Sequence, residues 1–318
     1  MKWTRRKFVL GGSVAVGAAA GFSWVACSKR FAARALREGF RELRRPVAKA
    51  PIQPDPQSWP SNQITLCWLG HATVLINFYG LRILTDPVLG NRCGVDLPLG
   101  TAGPKRFIAP ALRFEQLPPI DVVLLSHAHM DHMDLATLGR FKKAPFAVTA
   151  SETRDVLAAT SFKSATELRW GEHATFRNGK SDLRIEAFEV KHWGVRWPKK
   201  TPRGYNGYVL EREGRKILFG GDTANTPLFA SLRSKGPFDL AIMPIAAYQP
   251  WIRNHCTPEQ AFAMSNQASA RYVVPVHHQT FKLSDEPMDE PIQRMREAMA
   301  KEPERLALQR VGETFTLA

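Results

Sequence analysis

The chain has 318 residues, of which 44% are hydrophobic and 23% are charged, a composition that excludes a disordered or fibrous chain and suits one large domain or two small ones. Its four cysteines are too few for a disulfide scaffold. The net charge of +15 is concentrated in residues 1–50, which carry 12 Lys and Arg against 2 Glu, so the rest of the chain is only mildly basic and we expect no nucleic-acid partner.

Residues 1–27 have the pattern of an export signal. The arginine pair Arg5 and Arg6 precedes an uncharged stretch rich in Gly and Ala, which is typical of a twin-arginine signal. A transmembrane anchor is the alternative, but the many small residues make it the poorer interpretation. The residues before Cys27 resemble a lipoprotein cleavage box with Trp24 in place of the usual Leu, so lipidation, plain cleavage and retention all stay open. We expect a periplasmic or cell-envelope location.

Residues 28–60 connect this signal to the rest of the chain. From Lys29 to Lys49 they include eight basic residues and two Glu, with apolar residues at near-helical spacing. This pattern predicts a basic amphipathic helix, which would lie on an anionic membrane surface or serve as a solvated tether. Five prolines between Pro46 and Pro60 then predict a stiff linker, and we place the start of the domain, residues 61–318, at Ser61.

The body of the chain alternates predicted strands and helices. Apolar residues with a period of two between Ile64 and Ile83 predict antiparallel strands, and the fully apolar run 122–125 predicts a buried one. Further strands are predicted over 185–190, 208–210, 216–219, 240–243 and 272–276. A capping pattern at Thr257 predicts a helix to about Gln267, and further helices are predicted from Ser151 and over 291–300. The layout predicts an α/β fold with two sheets flanked by helices.

The strongest motif is Ser126–His132, directly after the apolar run. Side chains two residues apart point the same way in extended backbone, so His127 and His129 can bind one ion together. If the chain then curls, Asp131 and His132 point at a second position a few ångströms away. Imidazole and carboxylate ligands around two ions form a hydrolytic site. A polar surface loop is a poor explanation for three His and one Asp within six residues.

Three more candidate ligands lie downstream, each after a predicted strand. They are His192, Asp222 and His277. Taken singly, each has an ordinary explanation: a hydrogen-bonded structural histidine, or a turn at the Gly-Gly-Asp sequence. Their shared position behind apolar strands is what makes them candidates for the ligands that the first motif lacks.

These seven residues resemble the metal-binding motif of the metallo-β-lactamase-fold hydrolases. Within that superfamily, the chain is similar to the branch of N-acyl-phosphatidylethanolamine-hydrolysing phospholipase D. The segments that support this branch are 68–73, 117–121, 221–223, 247–248, 255–261 and 280–281. The resemblance implies a four-layer αββα sandwich of two mixed sheets flanked by helices, with the site at the sheet edges.

The resemblance also implies two zinc ions, with iron or manganese as alternatives, and a set of roles. The implied ligands are His127, His129 and His192 for one ion, Asp131, His132 and His277 for the other, and Asp222 as a bridge between them. A hydroxide between the ions would be the nucleophile. Asp131, Asp222 and His255 are the implied catalytic residues, where Asp131 would orient the hydroxide and His255 would contact substrate phosphate or support a ligand from behind.

Two departures from the family pattern bear on specificity. Gln249 stands where an acidic residue is expected, and His278-Gln279 replaces an aromatic-Gly pair; His277 rather than His278 is the ligand implied by the pattern. The resemblance implies a phosphodiesterase acting on phospholipids such as N-acyl-phosphatidylethanolamine. The alternatives are a lactone or β-lactam hydrolase on the same scaffold, and a non-catalytic metal-binding lipoprotein of the envelope. The oligomeric state and the pairing of Cys67, Cys93 and Cys256 are not predicted.

Overall fold

The computed structural model describes residues 44–97, 100–178, 181–196 and 201–317. The predicted export signal, including Cys27, and most of the basic amphipathic segment lie outside these residues. Within the described part of the chain, no helix combines the length and hydropathy that crossing a membrane requires. The fold described below is that of the compact unit that starts at Val47.

The described residues form strands β1 to β15, helices α1 to α4 and several short 3₁₀ turns. The strands are β1 (Ile64–Gly70), β2 (Thr73–Phe78), β3 (Leu81–Thr85), β4 (Val95–Leu97), β5 (Gly100–Ala102), β6 (Val122–Leu125), β7 (Phe146–Ala150), β8 (Thr166–Leu168), β9 (His173–Phe176), β10 (Leu183–Phe188), β11 (Gly207–Arg212), β12 (Arg215–Phe219), β13 (Phe238–Pro244), β14 (Ala270–Val276) and β15 (Thr314–Leu317). The helices are α1 (Leu135–Leu138), α2 (Leu228–Ser231), α3 (Pro258–Gln267) and α4 (Glu290–Ala298).

Two mixed sheets and a short β4–β5 ribbon contain all of these strands. The larger sheet has the order β15-β1-β2-β3-β6-β7-β8, and the smaller has the order β14-β13-β12-β11-β10-β9. In the larger sheet β3, β6, β7 and β8 are parallel. In the smaller sheet β10 runs antiparallel to β11, and β11 runs antiparallel to the parallel set β12, β13 and β14. Strands β10, β12, β13 and β14 therefore all end at the same edge.

The main hydrophobic core lies between the two sheets. It joins Trp68 and Phe78 of the larger sheet to Tyr208 and Phe219 of the smaller one. A second core covers the other face of the smaller sheet with side chains of α2, α3 and α4. This layering is consistent with the predicted αββα sandwich. Burial of large apolar side chains on both faces explains why the central strands are apolar along their whole length.

Most predicted elements are confirmed, with ends that shift by a few residues. Helix α3 begins as predicted, because Thr257 Oγ1 accepts from the Gln260 amide and the Gln260 side chain accepts from the Thr257 amide at 3.0 Å. The helix predicted from Ser151 is wrong. The amides of Thr153 and Arg154 both donate to Glu167 of β8 at 2.8 Å, and only one 3₁₀ turn follows.

The structure places residues 47–60, which the sequence assigns to a linker, against the domain. Ala48 forms a parallel bridge with Ile108, in which the Ala48 amide donates to the Phe107 carbonyl and the Ala48 carbonyl accepts from the Ala109 amide; Trp59 packs against the main core. Arg82 of β3 donates to the Pro56 carbonyl at 3.2 Å. Proline fixes the backbone without preventing burial, so a proline-rich segment can line a domain as well as connect one.

The three cysteines in the described residues are unpaired and buried: Cys67, Cys93 and Cys256. Cys67 belongs to β1 at the centre of the main core. Cys256 lies against the helices on the other side of the smaller sheet, and its thiol donates to the Pro244 carbonyl. Each of these residues therefore acts as a small apolar side chain in the fold.

Candidate metal centre

The backbone after β6 has the shape that the motif predicts. His127 is still extended and pairs with Tyr205 across the gap between the sheets. The chain then turns, because the amides of His132 and Met133 both donate to the His129 carbonyl, at 3.1 and 2.8 Å. The first two histidines of the motif thus project from extended backbone, and Asp131 and His132 project from the turn that follows.

One half of the centre is the three-histidine group, His127, His129 and His192. His129 Nδ1 lies 2.8 Å from His127 Nε2 and 3.2 Å from His192 Nε2, so the three nitrogens converge on one point. The opposite ring nitrogens are held in place: His127 Nδ1 lies 2.9 Å from Ser126 Oγ, and His192 Nδ1 donates to the Asn254 carbonyl at 2.9 Å. These outer contacts fix the ring orientations that a metal site needs.

The other half is the mixed group, Asp131, His132 and His277. Asp131 Oδ2 lies 3.4 Å from the Nε2 atoms of both histidines. His132 Nδ1 lies 2.6 Å from Asp86 Oδ2, and His71 Nε2 lies 2.9 Å from Asp131 Oδ2. His278, the neighbour of His277, points away from the group. Its ring stacks on Trp68 with 4.4 Å between ring centroids.

Asp222 lies between the two groups. Its Oδ2 atom is 3.1 Å from His132 Nε2 and 3.3 Å from His277 Nε2, and 3.9 Å from the Nε2 atoms of both His127 and His192. The preceding Gly221 has a φ of 56°, and a Cβ there would lie 2.7 Å from the Asn206 carbonyl oxygen. Only glycine permits this approach, which brings the β12 end close to β6.

The donor set fits metal ions. His132 Nε2, His277 Nε2 and Asp222 Oδ1 are buried and make no hydrogen bond of good geometry, although the two nitrogens lie 3.1 and 3.3 Å from Asp222 Oδ2. Buried polar atoms without a partner are costly, and at this point seven imidazole and carboxylate side chains face one another. A divalent ion in each group would satisfy these atoms. The His/Asp cluster could therefore bind metal ions, and its ligands suit zinc, iron or manganese.

The two groups differ in charge when no ion is bound. Burial, reinforced by neighbouring imidazoles, lowers the pKa of His129 to about 3, and burial lowers that of His192 to about 4. Burial also opposes a charge on His277, but Asp222 and Asp131 outweigh it and raise the pKa of His277 to about 9. The three-histidine group is therefore neutral near pH 7, whereas the mixed group forms an ionic network with its carboxylates.

A cavity of about 310 Å³ opens directly on this cluster. Its apolar walls are Met130, Trp193, Val195, Ala247, Trp251 and Leu283. His255, the third predicted catalytic residue, lines the cavity with its Nδ1 atom 3.9 Å from Asp222 Oδ2. That nitrogen is buried and has no hydrogen-bond partner. Trp193 and Trp251 are 47% and 52% exposed at this site.

Two supporting carboxylates were missed by sequence reasoning. Asp86 directly follows β3, so the strand-end signal that identifies Asp222 could have found it too. Glu286 accepts the amides of Ala247, Tyr248 and Gln249 at 2.6, 3.3 and 3.0 Å, and thereby holds one wall of the cavity. Glu286 thus brings a carboxylate to the loop in which Gln249 replaces the expected acidic residue. No sequence pattern around Glu286 indicates this role.

Known proteins resemble this chain in sequence and in fold. The beta-lactamase superfamily domain matches residues 81–278, more than half of the chain. The N-acyl-phosphatidylethanolamine-hydrolyzing phospholipase D 1 of Caenorhabditis elegans is 33% identical over 248 residues, which cover 73% of this chain and 68% of the relative. An uncharacterized protein of Mycobacterium tuberculosis is 30% identical over 274 residues, which cover 83% of this chain and 71% of the relative.

Solved structures share the fold at lower identity. A metallo hydrolase from Ignicoccus hospitalis aligns with a TM-score of 0.60 at 19% identity, covering 80% of this chain and 99% of that one. The isothiocyanate hydrolase from Delia radicum gut bacteria aligns with a TM-score of 0.62 at 17% identity, covering 80% of this chain and 100% of that one. The chain therefore belongs to the metallo-β-lactamase superfamily, as a metal-dependent hydrolase related to the N-acyl-phosphatidylethanolamine-hydrolysing phospholipases D.

Proposed function

We propose that the protein is a phosphodiesterase of phospholipase D type that acts on lipids such as N-acyl-phosphatidylethanolamine with the help of two zinc ions. The observation that carries the proposal is the cavity, which has the ligand cluster on its floor and mostly apolar side chains on its walls. A polar reacting group and an apolar remainder are what a phospholipid would present to such a cavity. The relatives that share this name in Caenorhabditis elegans and Saccharomyces cerevisiae support the substrate class.

The residues that would hold the ions are the three-histidine group, the mixed group and Asp222 between them. Histidine and carboxylate oxygen suit zinc in a catalytic site, where a coordination position stays open. When bound, the ions supply a water of lowered pKa and offset negative charge on the phosphoryl oxygens. The chain's own residues then determine which bond is presented to that water and how well bulk solvent is excluded.

Three side chains have roles in the proposed hydrolysis. Asp131, fixed by His71, accepts a hydrogen bond from the attacking water and so orients it. His255 offers its unpartnered Nδ1 to a phosphate oxygen. Trp193 covers the His129 ring at 4.5 Å between centroids and excludes bulk water from that side of the cavity. Water adds its oxygen to phosphorus, the phosphorus–oxygen bond to the ethanolamine part breaks, and a proton from the water ends on the departing oxygen, which yields phosphatidic acid and N-acylethanolamine.

The test is hydrolysis of N-acyl-phosphatidylethanolamine in mixed micelles by the purified, zinc-loaded chain. We expect release of N-acylethanolamine, and its near-complete loss in Asp222→Asn. Equal rates in the two proteins would contradict the proposal. A lactone and a β-lactam are assayed in parallel, because a carbonyl hydrolase on this scaffold would open them and leave the phosphodiester intact. Metal analysis of the same preparation checks for two zinc ions per chain.

We further propose that the chain is exported by the twin-arginine route and reaches the membrane surface of the cell envelope through its N-terminal segment. The support is the arginine pair Arg5 and Arg6 before an uncharged stretch, followed by the basic amphipathic residues. Replacement of both arginines by lysine should retain the protein inside the cell in a fractionation experiment, because the twin-arginine route recognises the two arginines and not their charge alone. Unchanged export would exclude this route.

A further inference from the structure

The turn between β1 and β2 has an unusual backbone. Gly70 has a φ of 116° and His71 a φ of 54°, so a residue with a full side chain occupies the left-handed region. Such a conformation is strained for histidine and persists only where the surroundings fix it. The turn therefore holds the His71 imidazole in one place, although this strains the local backbone. Such strain suggests that the His71 side chain has a function.

Three backbone contacts fix the turn. The His71 amide donates to Thr280 Oγ1 at 2.7 Å, and the His71 carbonyl accepts from Trp68 Nε1 at 2.7 Å and from the His277 amide at 3.0 Å. Trp68 belongs to β1 of the larger sheet, and His277 follows β14 of the smaller sheet. The turn thus connects the two sheets immediately beside the mixed group.

The side chain of His71 makes one hydrogen bond, to Asp131. The residue is 1% exposed, and its Nε2 atom lies 2.9 Å from Asp131 Oδ2. An ionised carboxylate only accepts hydrogen bonds, so Nε2 is the protonated nitrogen and donates. The same Oδ2 atom lies 3.4 Å from the Nε2 atoms of His132 and His277. The bond from His71 therefore acts on the oxygen that faces the two histidines of the mixed group.

We propose that His71 is a positioning residue that holds the Asp131 carboxylate toward His132 and His277 and thereby sets the metal affinity of the mixed group. The inference rests on the proposed role of Asp131 as a ligand. In this proposal His71 acts only through Asp131 and contacts neither the metal nor the substrate. Because His71 lies on the side of the mixed group, the affinity of the three-histidine group should depend on it much less.

The test is a zinc titration of the metal-free full chain against a competing chelator, which needs no substrate. We expect His71→Leu to weaken one of two binding steps by about 10- to 100-fold, the usual cost of losing an outer partner of a ligand, and to leave the other step unchanged. His71→Gln should recover most of the loss, since its amide nitrogen can donate to the same oxygen. His173→Leu, at an exposed position of β9, is the matched control and should match the unmodified protein.

Several outcomes would overturn the inference. Equal weakening of both steps, an equal loss in His71→Gln and His71→Leu, or no loss in either would each exclude a positioning role. A cobalt-substituted His71→Gln protein that has lost a nitrogen ligand in its absorption spectrum would show that His71 coordinates the metal instead. If His71→Leu does not fold, His71→Asn replaces it, because its shorter amide cannot reach Asp131. If the zinc titrations give the expected results but the unmodified protein hydrolyses no phosphodiester, only the proposed function is contradicted.

Discussion

The two halves of the metal centre are prepared for an ion in different ways. The three-histidine group contains only imidazoles, whose pKa values burial lowers to about 3 at His129 and about 4 at His192. The mixed group includes a carboxylate and has His277, whose pKa is raised to about 9 by Asp222 and Asp131 against the effect of burial. One half is neutral and ready to coordinate near pH 7, whereas the other holds protons on His132 and His277, whose pKa values its carboxylates raise, and an ion must displace them.

The supports of the two halves differ in the same sense. Neutral groups, the Ser126 hydroxyl and the Asn254 carbonyl, hold the three-histidine group. The mixed group depends on Asp86, a buried carboxylate that lies 2.6 Å from His132 Nδ1. A shared cluster can therefore contain one site that is preformed and one that forms together with its ion. We expect the three-histidine group to bind first.

The largest effect is expected for Asp222→Asn, because Asp222 faces both halves. Loss of an outer partner costs about 10- to 100-fold, so loss of this shared residue should reduce hydrolysis by more than about 100-fold and weaken metal binding in both groups. Rate measurements and metal analysis check this. Asp239→Asn, which removes a carboxylate bound to Arg215 outside the centre, is the control. Loss of metal from one group alone would show that Asp222 is not shared.

Asp86→Asn should have the next largest effect. We expect the metal affinity of the mixed group to fall by about 10- to 100-fold, because His132 loses the carboxylate that orients it. The three-histidine group should lose less, since Asp86 reaches it only through Ser126, whose Oγ donates to Asp86 Oδ2 at 2.6 Å. The measurement is a zinc titration with two resolved steps. A greater loss of zinc affinity in the three-histidine group than in the mixed group would contradict this prediction.

The pH dependence of metal binding should separate the halves further. Below about pH 9 His277 is protonated in the metal-free protein, and the carboxylates also hold the pKa of His132 well above its usual value. With rising pH, the affinity of the mixed group should therefore increase about tenfold per pH unit for each proton displaced. The three-histidine group has no such proton to displace above about pH 4 and should change little. Titrations between pH 6 and 8, in buffers with different ionisation enthalpies, would count the protons. Equal slopes for the two steps would contradict the difference in charge.

Ser126→Ala should have the smallest effect. It removes the hydroxyl beside His127 Nδ1, so we expect at most a roughly tenfold loss of affinity, confined to the three-histidine group. Ser231→Ala, at an exposed position, serves as the control and should leave both steps unchanged. A loss in the mixed group as large as that in the three-histidine group would mean that the Ser126 hydroxyl acts through Asp86 instead.

Most residues of the candidate site could be predicted because they belong to short local sequence motifs. The spacing of Ser126–His132 indicates two neighbouring positions for ligands, and an apolar strand in front of His192, Asp222 and His277 indicates a common sheet edge. The fold followed from the alternation of residues in β1 to β3 and the apolar runs of the later strands. These patterns are local, so they can be recognised without knowledge of the tertiary structure.

The remainder depends on contacts between distant parts of the chain. His132 and Asp86 lie 46 positions apart, and the buried Glu286 meets Ala247 across 39 positions. Strands β8 and β15 are too short to show a period, and β15 exists because it pairs with β1 at the opposite end of the chain. The segment after Ser151 forms a single turn, Arg154–Leu157, whose first amides donate to Glu167, a residue more than ten positions further along the chain. The export route stays a prediction.

The buried thiols have a practical consequence. Burial raises the pKa of Cys67 to about 12 and also raises those of Cys93 and Cys256, so little thiolate forms and reagents reach none of the three in the folded protein. A thiol-specific label should therefore modify them only when the surrounding layer opens. Two of these cysteines lie in different cores, on either side of the smaller sheet. Pulse labelling followed by peptide mass analysis would report whether those layers open together or one before the other.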